Sequence, residues 1–465
     1  MDKSSNDYAF FCKQHYNSLL NTELNSTTYK PLDDTHDNLI AAHQGILRDL
    51  GFTPNDTLNK LGILYANLKA HKNPPASRYI ANNTKTPLKQ LSKALNIAFK
   101  ALRPYLDTLW FETFKVHNAP NHLHQKKCMI ADSSEDLIDL FNQLNQELSH
   151  ANKSKLPAST HDFSTLYTHL KHDVINKQLT QLFHNLFEHI TTKIKIHKNN
   201  LFLFINTNNK SYDWTTKKVI LKKNHFLLNA ETLSLWIRTL IDQTYVLHNG
   251  KPYKQLIGIP MGTSCAVNLA NFLLFTYEHN YLIKQLETQN YQRIKDLRYT
   301  KRYLDDIPSF NNPTFDTYKY DIYPEHMLKL DEEHSGLPIH CLDITFYFNH
   351  KHNCYATTLH SKRQDPKFKG LPFTRYPHPD SFICRAYLYN TFTTELYRFY
   401  RRNTFFSTFK DDTQELISYL YEKGYALPKL TRKLRHFVQN HLPFYTRQNA
   451  PQIVKILFEP FIKKL

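Results

Sequence analysis

The sequence predicts an α+β protein, with antiparallel hairpins interleaved among amphipathic helices, and three observations carry that expectation. Residues 341–348 and 354–359 alternate apolar and polar around an Asn-rich turn, as a half-buried hairpin does. Residues 245–255 alternate around Asn249-Gly250, the dipeptide that a two-residue hairpin turn needs. Between such hairpins run helical stripes: Val174, Ile175, Leu179, Leu182, Phe183, Leu186, Phe187 and Ile190 fall on one face.

Residues 1–58 form a polar N-terminal extension with short helical patches such as 38–50, which Gly51 and Pro54 stop. The next stretch, 61–80, is extended, turns at Pro74-Pro75 and extends again. Lys72 and Arg78 flank that turn, where a two-stranded finger presents two cations to one phosphate chain; the alternative is a solvated basic hairpin. Leu88, Leu91, Leu95, Ala98 and Leu102 predict a helix over 86–102 that packs the finger down. His117, His122, His124 and Cys128 do not have zinc-finger spacing, and Asn-Ala-Pro-Asn among them reads as loop.

Asp162 lies in His161-Asp162-Phe163-Ser164-Thr165-Leu166-Tyr167. Tyr167 follows Asp162 by five residues, which in a strand-to-helix turn can set an aromatic ring beside whatever Asp162 faces. A core tyrosine under a helix is the other reading. Residues 193–224, rich in Lys and Asn, read as a solvated basic loop. Asn229 then caps a helix bearing Leu233, Trp236, Ile237, Leu240 and Ile241. In Gly258-Ile259-Pro260-Met261-Gly262-Thr263-Ser264 the glycines let backbone approach a base pair closely, and Ser264 opens a long helix through Glu278. Gly is scarce, 9 in 465 residues, so two spent on one turn are informative.

Two adjacent carboxylates follow in Tyr303-Leu304-Asp305-Asp306, which fits the turn of a β-hairpin with one side chain facing a metal and the other supporting it. Alone, an aromatic-x-Asp-Asp is more often a solvated turn. Its order and spacing behind Asp162 and Gly262 change that: about 100 residues separate the first two, and about 43 the last two. Pro308 is expected to shorten the second strand of this hairpin. Lys362 and Arg363 follow the 341–359 hairpin, within which Asp343 reads as structural. After the Pro-rich joint 372–379 the chain turns helical over 385–400, 411–422 and 430–440. Arg398, Arg401 and Arg402 interleave with Tyr397, Phe399 and Tyr400, as a helix in a minor groove requires, or as a bundle with a basic outer face would.

A formal charge of +18 and a pI near 9.3 suit a polyanionic partner, and 14% aromatic residues beside Lys and Arg suit base stacking. The six cysteines form no C-x-x-C pair and read as reduced. No apolar run approaches the ~18 residues of a membrane span, and residues 1–8 do not read as a secretory leader.

These motifs resemble the reverse transcriptase superfamily and are most similar to the telomerase-related Penelope-like retroelement polymerases. The resemblance covers roughly residue 60 to the end; the family often has Pro-Lys where this chain has Leu68-Lys69. It implies a right-hand polymerase, with fingers over 59–155, a palm over 156–375 carrying a fingers insertion near 193–255, and a helical thumb over 376–465. It implies that Asp162, the Phe163 carbonyl and Asp305 hold two Mg²⁺ and that Asp306 supports them. Lys72 and Arg78 would clamp the dNTP triphosphate, and Tyr167 would be the steric gate. Met261 and Gly262 would contact dNTP and template, while Lys362, Arg363, Arg398, Arg401 and Arg402 would meet nucleic acid. The implied reaction is RNA-templated DNA synthesis from a primer 3′ end, at the nucleus if the source is a eukaryotic retroelement. No nuclease of the Gly-Ile-Tyr/Tyr-Ile-Gly type accompanies it in this chain. The competing readings are an RNA-dependent RNA polymerase, against which Tyr167 and the Tyr-Leu-Asp-Asp form argue, and a catalytically silent nucleic-acid-binding relic, against which the intact carboxylates argue.

Overall fold

The structure is a computed structural model that describes residues 10–69, 76–148, 156–164, 166–195, 201–216, 221–360, 376–441 and 449–464. It is an α+β fold in two compact units. The first holds Ala9–Ala131 and His161–Glu333; the second holds Asp132–Thr160 and His334–Leu465. Residues 132–160, placed by sequence in the fingers and at the start of the palm, thus group with the C-terminal part of the chain.

In the first unit, a five-stranded sheet has the order Tyr29–Pro31, Lys251–Gln255, Tyr245–His248, Gly62–Lys69, Ala76–Asn82. Every pairing is antiparallel except that of Gly62–Lys69 with Tyr245–His248. Alternation along Gly62–Lys69 buries Leu64 and exposes Ile63 and Tyr65. Leu64 joins Ala81 and Val246 under Leu20 and Leu24 of the helix Lys13–Leu24, so the N-terminal extension covers one sheet face. The Asn-Gly turn forms as its sequence demands, with φ of 48° at Asn249 and 77° at Gly250. Gly62–Lys69 and Ala76–Asn82 pair with Asn67 opposite Arg78; the turn between them, with Lys72, lies outside the described residues.

The main core of this unit is helical. The helix expected over 86–102 runs instead from Lys89 to Val116, through Pro104. The apolar stripe does not stop at the proline: Leu106, Trp110 and Phe114 continue it and are fully buried, and their packing outweighs one lost backbone hydrogen bond. Helices His172–Ile194 and Ala266–Glu287 pack with it. The Asn229 side chain accepts from the Thr232 amide at 2.9 Å, capping Ala230–Asp242.

The stretch 193–224 is not simply a basic loop. Phe202–Asn206, Ser211–Thr215 and His225–Leu228 form a three-stranded antiparallel sheet, with Leu203, Ile205, Phe226 and Leu228 buried. The Lys and Asn residues dominate its composition, yet they sit around turns while the apolar alternation does the folding.

A further three-stranded sheet has the order Asp306–Phe310, Ala158–Phe163, Leu330–Ser335. Pro308 does not shorten the first of these strands. Lys301 N–H donates to the Pro308 carbonyl at 3.1 Å and Phe310 N–H to the Tyr299 carbonyl at 3.0 Å, so the ladder loses only the bond that Pro308 has no N–H to make.

In the second unit, the helix Ser134–Glu147 opens with a Ser133/Asp136 capping box. The expected hairpin is present as Ile344–Asn349 with Cys354–Leu359, and Ile339–Cys341 adds a third strand. Helices Arg385–Arg402, Phe406–Glu422 and Leu427–His441 answer the three expected, and Ala450–Phe458 adds a fourth around one core. No disulfide joins any of the six cysteines, and no described helix is long and apolar enough to cross a membrane.

Candidate active site

The site is built on one strand and one turn. Along Ala158–Phe163, His161 and Phe163 face inward, against Phe315 and Tyr323 with ring centroids 4.9 Å apart in each pair. Strand alternation therefore sends Asp162, which is half-buried, to the opposite face.

The turn Tyr303–Asp306 is closed by Tyr303 N–H to the Asp306 carbonyl at 2.8 Å and Asp306 N–H to the Tyr303 carbonyl at 3.0 Å. Leu304 occupies its first corner with φ of 56°, a left-handed conformation that a leucine adopts only when its surroundings hold it there. Strand and turn meet where Phe163 N–H donates to the Asp305 carbonyl at 3.1 Å. Asp162 is therefore the immediate neighbour of a residue bonded to Asp305, although they lie 143 positions apart in sequence.

Asp305 opens onto a cavity of about 680 Å³ that Arg78, Phe163, Tyr167 and Met261 also line. Burial and the nearby Asp305 carboxylate push the Tyr167 phenol up to about 12, against the opposing pull of Arg302 and Arg78. Tyr167 thus stays a neutral ring with a proton to donate at any physiological pH. These five residues come from four separated segments of sequence.

Gly262 is not on the cavity wall. A Cβ there would lie 2.1 Å from the Ala81 carbonyl oxygen, and one on Gly258 would lie 2.4 Å from the Tyr167 carbonyl oxygen. Both glycines have left-handed backbone, φ +100° and +93°. The close approach that these glycines permit is to neighbouring protein backbone, which locks Met261 between the strand of Arg78 and the loop of Tyr167. Ser264 does not open the helix; it starts at Ala266, with Cys265 at its cap.

Sequence reasoning missed the contribution of the N-terminal extension. Glu23, Ser26, Thr27, Thr28 and Tyr29 line the same cavity, held because Leu256 N–H donates to the Thr28 carbonyl at 2.8 Å and Tyr29–Pro31 pairs with Lys251–Gln255. Nothing in a run of Ser and Thr signals such a position; the nearest hint is the short β-compatible segment Tyr29-Lys30-Pro31.

Behind the strand, His161, Asp316 and Glu332 bring ligand-type atoms within 4.8 Å of one another, the only such group among the described residues. Lys319 lies 2.7 Å from Asp316, so an ammonium already pairs with one of its two carboxylates.

The second unit places the arginines of the helix Arg385–Arg402 inside an ion-pair network. Arg398 reaches Asp343 at 2.6 Å and Glu395 at 3.0 Å. Arg402, 8% exposed, reaches Asp343 at 3.2 Å and Glu135 at 3.0 Å and donates to the Ser134 hydroxyl. These two cations hold the hairpin and helices of their own unit together, with Asp343 in the structural role expected of it, and they are not presented outward. Arg401, 3.4 Å from Glu135, is the solvent-facing member of the three. Lys362 and Arg363 lie outside the described residues.

No protein-family pattern matches the chain, and no curated protein matches its sequence. Among solved structures it is similar to telomerase from Candida albicans in complex with the TWJ fragment of telomeric RNA, at TM-score 0.52 and 13% identity, over 98% of this chain and 76% of that one. Telomerase from Candida tropicalis with the TWJ fragment of telomeric RNA follows at TM-score 0.43 and 11% identity, over 97% of this chain and 65% of that one. The Candida albicans likeness shows the fold: this chain is folded like that telomerase structure.

Proposed function

We propose that this chain is an RNA-directed DNA polymerase of retroelement type, which joins dNTPs to a primer 3′-hydroxyl on an RNA template, with its first unit supplying fingers and palm. The observation that carries the reading is the Phe163 N–H to Asp305 carbonyl bond, which puts Asp162 and Asp305 on adjoining backbone beside a nucleotide-sized cavity.

The donor set fits the cation such chemistry uses. Asp162, Asp305 and the Phe163 carbonyl are all oxygen donors, which Mg²⁺ prefers, while the adjacent His161 faces the other way. Bound there, a pair of Mg²⁺ ions would lower the pKa of the primer hydroxyl and neutralise charge on the triphosphate. The remaining steps belong to the chain. The primer hydroxyl gives up its proton to solvent as its oxygen bonds the α-phosphorus and pyrophosphate leaves; Arg78 orients the triphosphate, a role expected of Lys72 as well; and Met261 abuts the base. Tyr167 excludes a 2′-hydroxyl by its bulk, so Tyr167→Ala is expected to lower discrimination against rNTPs by about 10- to 100-fold, measured as the ratio of kcat/KM for dGTP and GTP. An unchanged ratio would remove Tyr167 from the sugar pocket.

The deciding assay is extension of a DNA primer on an RNA template with Mg²⁺ and either dNTPs or rNTPs. Extension with dNTPs supports the proposal. Extension confined to rNTPs would make the chain an RNA polymerase, and salt-sensitive RNA binding without extension would make it a binding relic.

A further inference from the structure

Arg302 is the residue that explains how a leucine is held in the left-handed corner of the Asp305 turn. It is fully buried, a rare setting for a guanidinium, and every one of its five N–H groups has an acceptor. Nε donates to Glu278 Oε1 at 2.5 Å and Nη2 to Glu278 Oε2 at 3.4 Å. Nη1 donates to Asn271 Oδ1 at 2.7 Å, and Nη2 donates to the Asn271 carbonyl at 3.3 Å. The last donor of Nη1 goes to the Leu304 carbonyl at 3.3 Å. Tyr323 completes the cluster, its hydroxyl donating to Glu278 Oε1 at 2.9 Å.

The main chain of Arg302 does not need this side chain. Its N–H donates to the Met129 carbonyl at 2.7 Å and its carbonyl accepts from Ala131 N–H at 2.8 Å. What the guanidinium adds is a fixed link from the helix Ala266–Glu287 to the peptide between Leu304 and Asp305. That peptide sets the direction in which the Asp305 carboxylate leaves the turn. The same helix begins directly after the Gly262 turn, so one rigid element carries both the base-side glycine turn and the anchor of the carboxylate turn.

We infer that Arg302, held by Glu278 and Asn271, is a positioning residue: its contact with the Leu304 carbonyl aims the Asp305 carboxylate at the divalent-cation site. The inference rests on the polymerase reading for its catalytic consequence, but its structural claim concerns cation affinity and is measurable without turnover. Truncating Arg302 alone would strand the Glu278 charge in the core and unfold the region for reasons unrelated to aim. The informative variant therefore replaces the whole cluster by apolar groups of similar size, Arg302→Met with Glu278→Met and Tyr323→Phe, which buried ion pairs tolerate. Asn271→Ala is the gentler companion, since it removes one acceptor and leaves the ion pair.

The experiment measures Mn²⁺ affinity by electron paramagnetic resonance, thermal unfolding, and primer-extension kcat and KM, with Asp305→Ala as the blank for cations bound elsewhere. The expected result is a triple variant that unfolds near the wild-type temperature but binds Mn²⁺ about tenfold more weakly, with kcat down about 10- to 100-fold and KM for dNTP within about threefold. Asn271→Ala is expected to shift Mn²⁺ affinity and kcat in the same direction by roughly threefold. Wild-type Mn²⁺ affinity and kcat in a folded triple variant, or in Asn271→Ala if the triple variant does not fold, would overturn the inference. A wild-type protein that binds Mn²⁺ at Asp305 but extends no primer would overturn the polymerase reading and leave the Mn²⁺ comparison to judge Arg302.

Discussion

Asp305→Ala is expected to lower primer extension by at least about a thousandfold, the scale of losing several kcal/mol of charge stabilisation in the transition state. Its effect on stability should have the opposite character. Asp162 and Asp305 project from backbone joined by one hydrogen bond, and like charges on adjoining backbone repel. Removing one carboxylate relieves that repulsion, and the unfolding temperature of the cation-free variant should equal or exceed that of wild type. Asp306 provides the internal comparison. Its backbone closes the turn through both its N–H and its carbonyl, and it starts the strand that lies beside Ala158–Phe163, so its side chain leaves in a different direction from that of Asp305. Asp306→Ala is expected to lose about 10- to 100-fold, as a supporting residue does. Equal losses in the two variants would mean that the carboxylates share one role and that the assignment from turn geometry is wrong; a destabilised Asp305→Ala would mark the carboxylate as structural.

The carboxylate turn was legible because its chemistry is dense. Two adjacent acids, a flanking aromatic and an upstream Asp at a compatible interval leave few alternatives, and the Asn249-Gly250 hairpin and the Asn229 cap were legible for the same reason, each resting on a residue type that the backbone geometry demands. What escaped was set by partners far off in sequence. The strands over 202–228 carry a clean apolar alternation under a Lys- and Asn-rich composition, and the composition hid it. Arg398 and Arg402 stand in a basic, aromatic helix that reads as a nucleic-acid face, yet Asp343 and Glu135, 55 and 267 positions away from their respective partners, draw them inward. Prolines ordinarily interrupt an element, yet Pro104 lies inside a helix and Pro308, expected to shorten its strand, does not. At Pro104 the buried stripe on both sides outweighs the lost bond, and at Pro308 the flanking pairs of the ladder keep the strand in register.

The glycine turn shows the same limit from the other side, because the backbone its glycines approach, at Ala81 and Tyr167, is set by partners far off in sequence. Among the described glycines, Gly262→Ala is expected to cost the most. The new Cβ would lie 2.1 Å from the Ala81 carbonyl oxygen, a backbone atom of a paired strand that has no rotamer by which to step aside. Reaching van der Waals distance takes a shift of roughly 1 Å, either of the turn that holds Met261 or of the strand that holds Arg78. The left-handed φ of +100° adds about 1–3 kcal/mol of backbone strain for any side chain. Met261 and Arg78 both face the cavity onto which Asp305 opens, so either shift misaligns nucleotide and carboxylate, and a displacement of that size is worth about a hundredfold in rate. Two other glycines separate strain from collision. Gly250 has φ of +77° with open space for 4 Å around the position a methyl would take, so Gly250→Ala should lose stability but not rate. Gly45, inside the helix His36–Asp49 and equally uncrowded, should gain up to about 1 kcal/mol on becoming alanine. Unfolding curves and single-turnover extension for the three variants give the test. If Gly262→Ala keeps its rate while Gly250→Ala loses it, the turn at 258–264 does not set the distance between the arginine strand and the carboxylate turn, and the close approach to Ala81 serves packing alone.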